Sequence, residues 1–263
     1  MKPPEVDPGT HQFYEAQARR YPLIHARPIQ QYSAEFEREL MLRHVAPHAL
    51  CLDVGCGEGR TARMLAGESG RTVVGVDFSV EMLRIATLSA GSTVVRYCAG
   101  DAMCLPFGHG IFDAVVAVTS LNNVPDLHRS LQEMGRVLKP DGVLIILVIN
   151  RHEAAAVVRA IYYFPFYLYR WLRGGKPYRS LTFSARELSA ALPHGLQVVE
   201  FQGMRMVPDF LPEWPFNFYP VFQPTLRRAL RWLAPVDRWL CQHPWFGKLA
   251  RFHFVVARKC ANG

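Results

Sequence analysis

Several features that would place this chain in a familiar class of protein are absent from its 263 residues. No run of about 18 uncharged apolar residues occurs, so we predict no transmembrane helix. The six cysteines form no C-x-x-C pair. That spacing disfavours a metal site and favours scattered, reduced thiols, as in a cytoplasmic protein. The first residues lack the apolar stretch of a secretory signal, and no repeat or low-complexity tract is found.

Acidic residues become scarce after residue 150. Residues 1–150 contain 14 Lys and Arg against 16 Asp and Glu, whereas residues 151–263 contain 16 against 6. The second part also holds 22 of the 31 aromatic residues, including all five tryptophans. A near-neutral first part and a basic, aromatic second part indicate different tasks, and the second part bears on the choice of substrate.

A glycine-rich turn follows the first apolar run of the near-neutral part. Leu50–Val54 is apolar and bounded by Pro47 and Gly55, which is typical of a short buried strand. Gly55, Gly57 and Gly59 then permit a tight turn and a close approach of the backbone to a ligand. Asp77 lies 22 residues after Gly55, at the end of the next apolar run. An acid at that position can accept hydrogen bonds from both ribose hydroxyls of a nucleotide-type cofactor.

The competing cofactor is a nicotinamide dinucleotide, whose motif is G-x-G-x-x-G. Here the pattern is G-x-G-x-G, and Arg60 occupies the position of the third glycine in the dinucleotide motif. A bulky side chain there disfavours the close packing of helix on strand that dinucleotide folds require.

The chain resembles the class I S-adenosylmethionine (SAM)-dependent methyltransferases, especially those that act on small molecules. The resemblance covers about residues 45–150, in the family's order and spacing. It is carried by the segments Leu52–Gly59, Val76–Leu83, Gly100–Phe107 and Leu138–Leu144.

This resemblance implies SAM as cofactor and a role for each matching residue. Asp53 and the turn Gly55–Gly59, including Cys56, would hold the amino-acid end of SAM. Asp77 would bind the ribose, and Asp101, with Ala102 beside it, would bind the adenine. Further contacts are implied for Phe78 and Met82, against ribose and adenine, and for Thr119, near the methyl group. Phe78 and Met82 also suit ordinary core packing.

No residue of the sequence stands out as a general base. A base is needed only where the acceptor must lose a proton. Among the ten histidines, His25 in the lead-in and His152 after the fifth strand are weak catalytic candidates. Tyr14, Tyr21 and Tyr32 are candidates for the pocket wall. No metal site is predicted.

Alternating strand and helix patterns predict an α/β fold, a Rossmann-like doubly wound sheet. Residues 1–45 form a helical lead-in or cap, 46–150 the SAM-binding core, and 151–263 a part that completes the sheet. The resemblance implies seven strands, mostly parallel, with the last one reversed. The predicted strands are 50–54, 72–76, 93–97, 112–118, 142–149, 196–201 and 252–258. The predicted helices are 13–21, which ends at Pro22, 33–45, 79–89 and 126–138.

Two aromatic insertions are expected to form a substrate cap or to contact a membrane. Residues 154–172 are apolar on nearly all sides, and Pro165 should kink or break any helix there. Residues 225–240 place leucines on one face and arginines on the other, with Trp232 and Trp239 on the flank. This pattern suits a helix lying on an anionic bilayer, although Pro235 should divide it in two.

The sequence therefore favours a methyltransferase of an apolar small molecule or lipid, cytoplasmic and peripheral at the inner face of the membrane. RNA methylation through the basic part is an alternative, although no RNA-binding module is recognised. Methylation of a polar metabolite and a non-enzymatic SAM-binding scaffold are further alternatives. The oligomeric state does not follow from the sequence.

Overall fold

The computed structural model describes residues 8–67, 69–91, 95–173, 180–211 and 220–260. The strands are β1 Leu50–Val54, β2 Thr72–Asp77, β3 Val95–Ala99, β4 Phe112–Val118, β5 Leu138–Ile149, β6 Leu196–Met204 and β7 Phe252–Lys259. The helices are α1 Pro8–Gln17, α2 Tyr21–His25, α3 Pro28–Leu42, α4 Arg60–Ala66, α5 Val80–Leu88, α6 Leu127–Val137, α7 Ala156–Leu172, α8 Ala185–Ala191 and α9 Gln223–Gln242. Short 3₁₀ turns include Val207–Phe210 and Gly247–Leu249.

The seven strands form one sheet in the order β3-β2-β1-β4-β5-β7-β6. The first five are parallel, and β7 runs antiparallel to both β5 and β6. The predicted Rossmann-like sheet with a reversed last strand is thus confirmed. Because β1 and β4 are neighbours with helices on both faces, their carboxyl ends flank the switch point where such folds bind ligands.

Two apolar layers cover the two faces of the sheet. One buries Phe36 and Leu40 of α3 and Leu65 of α4 against β1, β4, β5 and β7. The other buries Leu131 and Met134 of α6 against the opposite face. The central segment Val143–Val148 of β5 is buried throughout, as the continuous apolar run predicts.

The lead-in is divided differently from the prediction. α1 ends at Gln17, and Pro22 lies in the first turn of α2 instead of ending a helix. Likewise α3 begins at Pro28, five residues before the predicted start at Ser33. Both prolines occupy the first turn of a helix, where a missing N–H costs nothing, and the prediction treated proline only as a terminator.

Prolines inside the two late helices do not break them. α7 is continuous through Pro165, and α9 is continuous through Pro235. In α9, buried side chains on both sides of Pro235, Leu230 before it and Cys241 after it, keep one packed seam. None of the helices in the described ranges is both long and apolar enough to cross a bilayer.

Candidate functional site

The glycine-rich turn after β1 forms one wall of a cavity. Gly55 and Gly57 have φ values of 69° and 53°, which favour glycine. A Cβ atom on Gly55 would lie 2.3 Å from the Cβ of Ser120, so the turn and the end of β4 approach too closely for any side chain. A Cβ on Gly57 would meet nothing within 4 Å. The turn is therefore packed at Gly55 and open towards the cavity at Gly57.

Asp77 holds this turn from the end of β2. Its carboxylate accepts the N–H of Gly57 at 2.7 Å and the N–H of Ser79 at 2.9 Å. Burial raises the pKa of the Asp77 carboxyl, and these backbone hydrogen bonds oppose the rise. Each carboxylate oxygen can accept further hydrogen bonds, so Asp77 can hold the turn and bind a pair of hydroxyl groups together.

Asp53, near the end of β1, is buried and incompletely bonded. Its side chain is 1% exposed, and Oδ2 finds no hydrogen-bond partner among the residues that the structure describes. Burial raises the pKa of the Asp53 carboxyl to about 7, although Arg60 acts in the opposite direction. A buried carboxylate without a full set of donors favours a cationic or hydrogen-bonding ligand beside it.

The first cavity, whose empty volume of about 960 Å³ includes its open mouth, lies at the carboxyl ends of the parallel strands. It collects most of the predicted cofactor residues: Asp53, Gly55, Cys56, Gly57, Asp77, Phe78, Met82, Asp101, Ala102 and Thr119. Gly59 belongs to the turn but lies outside the cavity lining, since its Cβ position faces the hydroxyl of Tyr97 at 2.3 Å.

A second cavity of about 750 Å³ adjoins the first. Its wall is rich in polar side chains, including Gln30 and Ser33 of α3 and Asn122, with Phe252 of β7 as an apolar part. The residues that line both cavities are Tyr14, Tyr21, His25, Arg60, Val118, Thr119 and Asn123. The two cavities therefore meet where β4 ends.

Thr119 marks this junction and has a strained backbone. Its φ is 56°, which is rare for a β-branched residue. The backbone is held there because the N–H of Thr119 donates to the carbonyl of Leu147 at 2.7 Å. A backbone held in this region by its neighbours is common at binding sites.

The lead-in covers the first cavity. The ring of Tyr14 in α1 meets that of Phe78 edge to face, with centroids 5.8 Å apart. Ser79, which caps α5 as predicted, donates its hydroxyl to Glu15 Oε1 at 2.8 Å. None of the described side chains of α7 and α9 lines either cavity, and the role of these helices as a substrate cap stays a prediction.

His25 is paired with a buried acid at the junction. Its Nδ1 lies 2.8 Å from Oε1 of Glu58, and Glu58 also accepts the guanidinium of Arg63 at 2.6 Å. Burial acts to raise the pKa of Glu58, but the hydrogen bonds from His25 and Arg63 outweigh it and lower that pKa. An ionised Glu58 accepts a hydrogen bond from Nδ1–H, which leaves Nε2 of His25 as the nitrogen able to take a proton.

Two other predicted residues lie elsewhere. His152 is exposed on the loop after β5 and lines neither cavity, because the side chain of Asn150 accepts the N–H of His152 at 2.9 Å and fixes the loop there. Tyr32 is buried between helices, where its hydroxyl donates to Asp237 at 2.6 Å. The prediction of Tyr32 as a pocket residue is wrong.

Sequence reasoning missed Glu58, Arg60 and Glu37. Arg60 and Glu37 form an ion pair at 2.5 Å in the wall of the second cavity. Glu58 and Arg60 flank Gly59, but their partners His25 and Glu37 are distant in sequence, so spacing alone gave no signal. No group of three or more His, Cys, Asp or Glu side chains in the described part of the chain could hold a metal ion.

The residues of the first cavity fit SAM. The unpaired oxygen of buried Asp53 suits the ammonium of an amino acid, the open side of Gly57 permits close approach, and Asp77 retains acceptor sites for a ribose. Phe78 and Met82 offer apolar surface for a flat ring.

Comparison with known proteins agrees. Residues 52–146 match the family model described as a methyltransferase domain. A demethylmenaquinone methyltransferase of Bacillus licheniformis is 35% identical over 159 residues, which cover 57% of this chain and 68% of that protein. A 2-phytyl-1,4-naphtoquinone methyltransferase of Nostoc is 40% identical over 111 residues, 40% of this chain and 48% of that protein.

The matches to several relatives are partial. An uncharacterised protein of Methanocaldococcus jannaschii is 30% identical over 153 residues, which cover 58% of this chain and 57% of that protein. A solved SAM-dependent methyltransferase of Thermotoga maritima superposes with a TM-score of 0.62 over 95% of this chain and 99% of that chain, at 21% identity. That likeness shows the fold alone.

The fold is that of enzymes that bind a nucleoside cofactor at the switch point of the sheet. The chain belongs to the class I SAM-dependent methyltransferases, a family that implies SAM as the methyl donor.

Proposed function

We propose that this enzyme methylates an amphiphilic acceptor, a small oxygen-bearing ring with an apolar tail, as in a reduced quinone. The observation that carries the proposal is the second cavity, whose polar wall meets the SAM cavity at Thr119 and His25. Ser33 and Asn122 are already hydrogen-bonded within the protein, to Ile29 and to Leu181. A polar ring in this cavity would therefore find its hydrogen-bonding partners in Gln30 and in Nε2 of His25 at the junction.

The named relatives support this class of acceptor. Two of them are methyltransferases of demethylmenaquinone and of a phytyl naphthoquinone. Both names describe a ring with oxygen substituents, and the phytyl chain is apolar. The matches cover only part of each chain, so the acceptor of this enzyme is inferred from its own second cavity together with these names.

In the proposed mechanism, the protein places the acceptor and removes a proton. When bound, SAM supplies an electrophilic methyl group on a positively charged sulfur. Tyr14 and Tyr21 help to close the junction against water, which favours transfer to the acceptor. Nε2 of His25 takes the proton that the acceptor loses, and Glu58 holds the imidazole through Nδ1.

The test is an acceptor panel with the purified full chain and SAM. The panel contains a reduced demethylated naphthoquinone with an isoprenoid tail, the same ring without the tail, and a small water-soluble phenol. We expect a methylated product from the tailed ring, with a higher kcat/KM than from the bare ring. Turnover of the water-soluble phenol alone would contradict the proposal and favour a polar metabolite.

A second measurement tests the base. We expect His25→Gln to lower kcat by about 100-fold, because general-base catalysis contributes on this scale. SAM affinity should stay within about threefold of the wild type, since no proton transfer is needed for binding. The matched control is His152→Gln, which alters an exposed histidine and should leave kcat unchanged. Equal effects of the two variants would exclude His25 as the base.

A further inference from the structure

The buried seam of α9 differs from the predicted apolar face. Leu226, Leu230, Asp237 and Cys241 are 0–3% exposed and face the interior. Leu226 and Leu230 pack on Ile29 and Tyr32 of α3. The predicted face included Val236, which is 52% exposed. With the seam assigned, the rest of α9 faces outwards.

The outward half of α9 is itself amphipathic. With successive residues about 100° apart, one flank carries the arginines Arg227, Arg231 and Arg238. The opposite flank carries Val236, which is 52% exposed, beside Ala229, Leu233 and Leu240, which are half-buried. Trp232 and Trp239, 80% and 60% exposed, lie between the two flanks with Arg228. Packing of α9 against the rest of the protein needs only its buried face. The cationic flank, the tryptophans and the apolar flank on the solvent side are therefore not explained by packing.

The same chemistry continues beside α9. After the helix, Trp245 is 77% exposed, and Phe246, Lys248 and Leu249 are exposed as well. Among the described residues 220–260, every exposed charge is positive, since the one acid, Asp237, is buried. Of the arginines of α9, Arg238 is paired with Glu39 of α3 at 2.8 Å, so the cationic character of this surface rests on Arg228 and Arg231 together with Lys248.

α7 adds exposed aliphatic and aromatic side chains. Ile161, Phe164 and Leu172 are 66%, 61% and 69% exposed. Scattered single apolar residues are ordinary on a surface, but a helix with several along its length indicates an interaction site.

Both helices are fastened to one segment, residues 205–209. Asp237 of α9 accepts the N–H of Met206 at 2.8 Å and of Val207 at 2.6 Å. Arg159 of α7 lies 3.8 Å from Asp209, which is itself paired with buried Arg205. The two exposed helices therefore rest on a common, buried base.

We propose that α7, the outward half of α9 and residues 245–249, together called the docking surface, bind an anionic lipid bilayer. The arginine flank meets lipid phosphates, the tryptophans lie at the interface, and the apolar flank and α7 contact acyl chains. This inference goes beyond the proposed function and does not depend on the acceptor.

Two other occupants suit the surface less well. A second copy would bring arginines against arginines, because α9 offers no exposed acid to pair with them. RNA would be bound through phosphates and stacking, but it would leave the aliphatic side chains Val157, Ile161 and Leu172 in water. Of the three occupants, only a bilayer would contact the cationic, aromatic and aliphatic side chains of the surface together.

The experiment measures sedimentation of the full chain with vesicles, without acceptor. One set contains phosphatidylcholine only, and the other contains phosphatidylcholine with phosphatidylglycerol. We expect binding to the anionic vesicles and weaker binding to the neutral ones. We expect Arg228→Glu with Arg231→Glu to reduce that binding at least about twentyfold, because each basic residue near an anionic surface contributes about fivefold.

The matched controls change equally exposed residues elsewhere. Arg84→Glu with Arg186→Glu makes the same change in net charge on α5 and α8, and Leu88→Ala removes an exposed leucine. Trp232→Ala with Trp239→Ala should weaken binding to both kinds of vesicle by about tenfold. Circular dichroism and SAM binding should remain unchanged in every variant.

Three outcomes would overturn the proposal. One is no sedimentation of folded, SAM-binding protein with either vesicle. Another is equal loss of binding in the α9 variants and in the controls, which would make net charge responsible. The third is binding of homopolymeric RNA, or formation of a dimer, that depends on Arg228 and Arg231 while vesicle binding does not. Because no acceptor is used, these outcomes leave the proposed methylation to be judged by its own assay.

Discussion

Three buried carboxylates around the SAM cavity have different surroundings and therefore different tasks. Asp77 is bonded to backbone amides, Glu58 to His25 and Arg63, and Asp53 retains an unpaired oxygen. Burial opposes the charge of all three, but only Glu58 has enough donors to keep its pKa low. Asp53 has the fewest hydrogen-bond donors of the three, so its charge depends most on a bound ligand.

Asp53 should make SAM binding depend on pH. Its pKa in the folded protein is raised by burial from 3.8 to about 7, so its contribution to stability is full below 3.8 and is lost as pH rises through about 7. The ionised carboxylate pairs with the ammonium of SAM. Affinity should therefore rise as pH approaches about 7 and fall again above about 8, where an α-amino group loses its proton.

Titration calorimetry across this pH range checks the expectation. In Asp53→Asn the rise below neutrality should vanish, and SAM should bind more weakly at pH 7. A wild-type affinity that stays constant between pH 5 and pH 7 would show that Asp53 does not contact the ammonium.

Asp77→Ala should separate binding from folding. Loss of both hydroxyl contacts is expected to weaken SAM binding more than about tenfold. The free energy of unfolding should also fall by about 1–3 kcal/mol, because the N–H groups of Gly57 and Ser79 lose their acceptor.

Asp126→Ala is the matched control for this change. It removes the N-cap of α6, whose side chain lines neither cavity, and should cost about 1 kcal/mol with unchanged SAM affinity. Calorimetry and urea denaturation of both variants give the comparison. A folded Asp77→Ala protein with wild-type affinity would refute the ribose contact.

Residue-level prediction from the sequence was strongest at strand ends. Asp77 was predicted from its position at a strand end, and the family resemblance implied the roles of Asp53 and Asp101. The three lie in one cavity because parallel strands end at the same edge of a sheet. The pair of His25 with Glu58 spans 33 positions and could not be found from local spacing. Tyr32 was misplaced because an aromatic residue on a lead-in helix gives no sign of which face is buried.

At the scale of elements, one buried acid joins α9 to its neighbours, in addition to the packing of Leu226 and Leu230 on α3. Asp237 is fully buried and accepts three hydrogen bonds, from Tyr32, Met206 and Val207. These bonds join α9 to α3 and to the segment after β6. They also anchor the half of the helix that follows Pro235.

Asp237→Ala should therefore lower the free energy of unfolding by about 3 kcal/mol, at about 1 kcal/mol for each lost hydrogen bond. Asp237→Asn should lose less, since its amide can still accept from the backbone and donate to Tyr32. SAM affinity should not change, because Asp237 lines neither cavity. Urea denaturation measures the free energy of unfolding of the wild type and of the two variants. An Asp237→Ala protein as stable as the wild type would contradict the expectation.

α7 should tolerate polar substitution. Ile161→Ser, Phe164→Ser and Leu172→Ser alter side chains that are more than half exposed, so each should change stability by less than about 0.5 kcal/mol. Leu188→Ser on α8, 1% exposed, is the buried control and should cost about 3 kcal/mol. Thermal melting measures the stability of the α7 variants and of the Leu188→Ser control. A large loss of stability in the α7 variants would mean that the helix is packed in the folded protein.

Element prediction succeeded where periodicity is unambiguous. The five parallel strands were located because each contains a mostly apolar run bounded by turns, and Ser79 caps α5. β3 lies two residues later than predicted, with Arg96 inside it, and β5 begins at Leu138, four residues earlier than predicted. Pro22, Pro165 and Pro235 were misjudged because proline was treated as a helix terminator. A first-turn position or packing on both sides of the residue removes that effect, and neither is visible in a sequence window.

On the scale of the whole molecule, the two parts of the sequence that differ in charge have different roles in the structure. The near-neutral part builds the SAM cavity, whereas the basic and aromatic part completes the sheet and leaves α7 and α9 outside both cavities. The asymmetry was predictable from composition. The course of the lead-in over the SAM cavity was implied by the family resemblance, whereas the exposure of Ile161 on α7 and of Trp232 on α9 required coordinates.

The most direct test of the account follows the methyl group itself. The full chain is incubated with methyl-tritiated SAM and a lipid-containing extract of the cells that make it, and the products are partitioned between organic solvent and water. Asp77→Ala serves as the control with impaired SAM binding. The account predicts label in the organic phase, lost in the variant. Label that stays in the aqueous phase, or precipitates with acid as RNA or protein, would contradict an apolar-tailed acceptor.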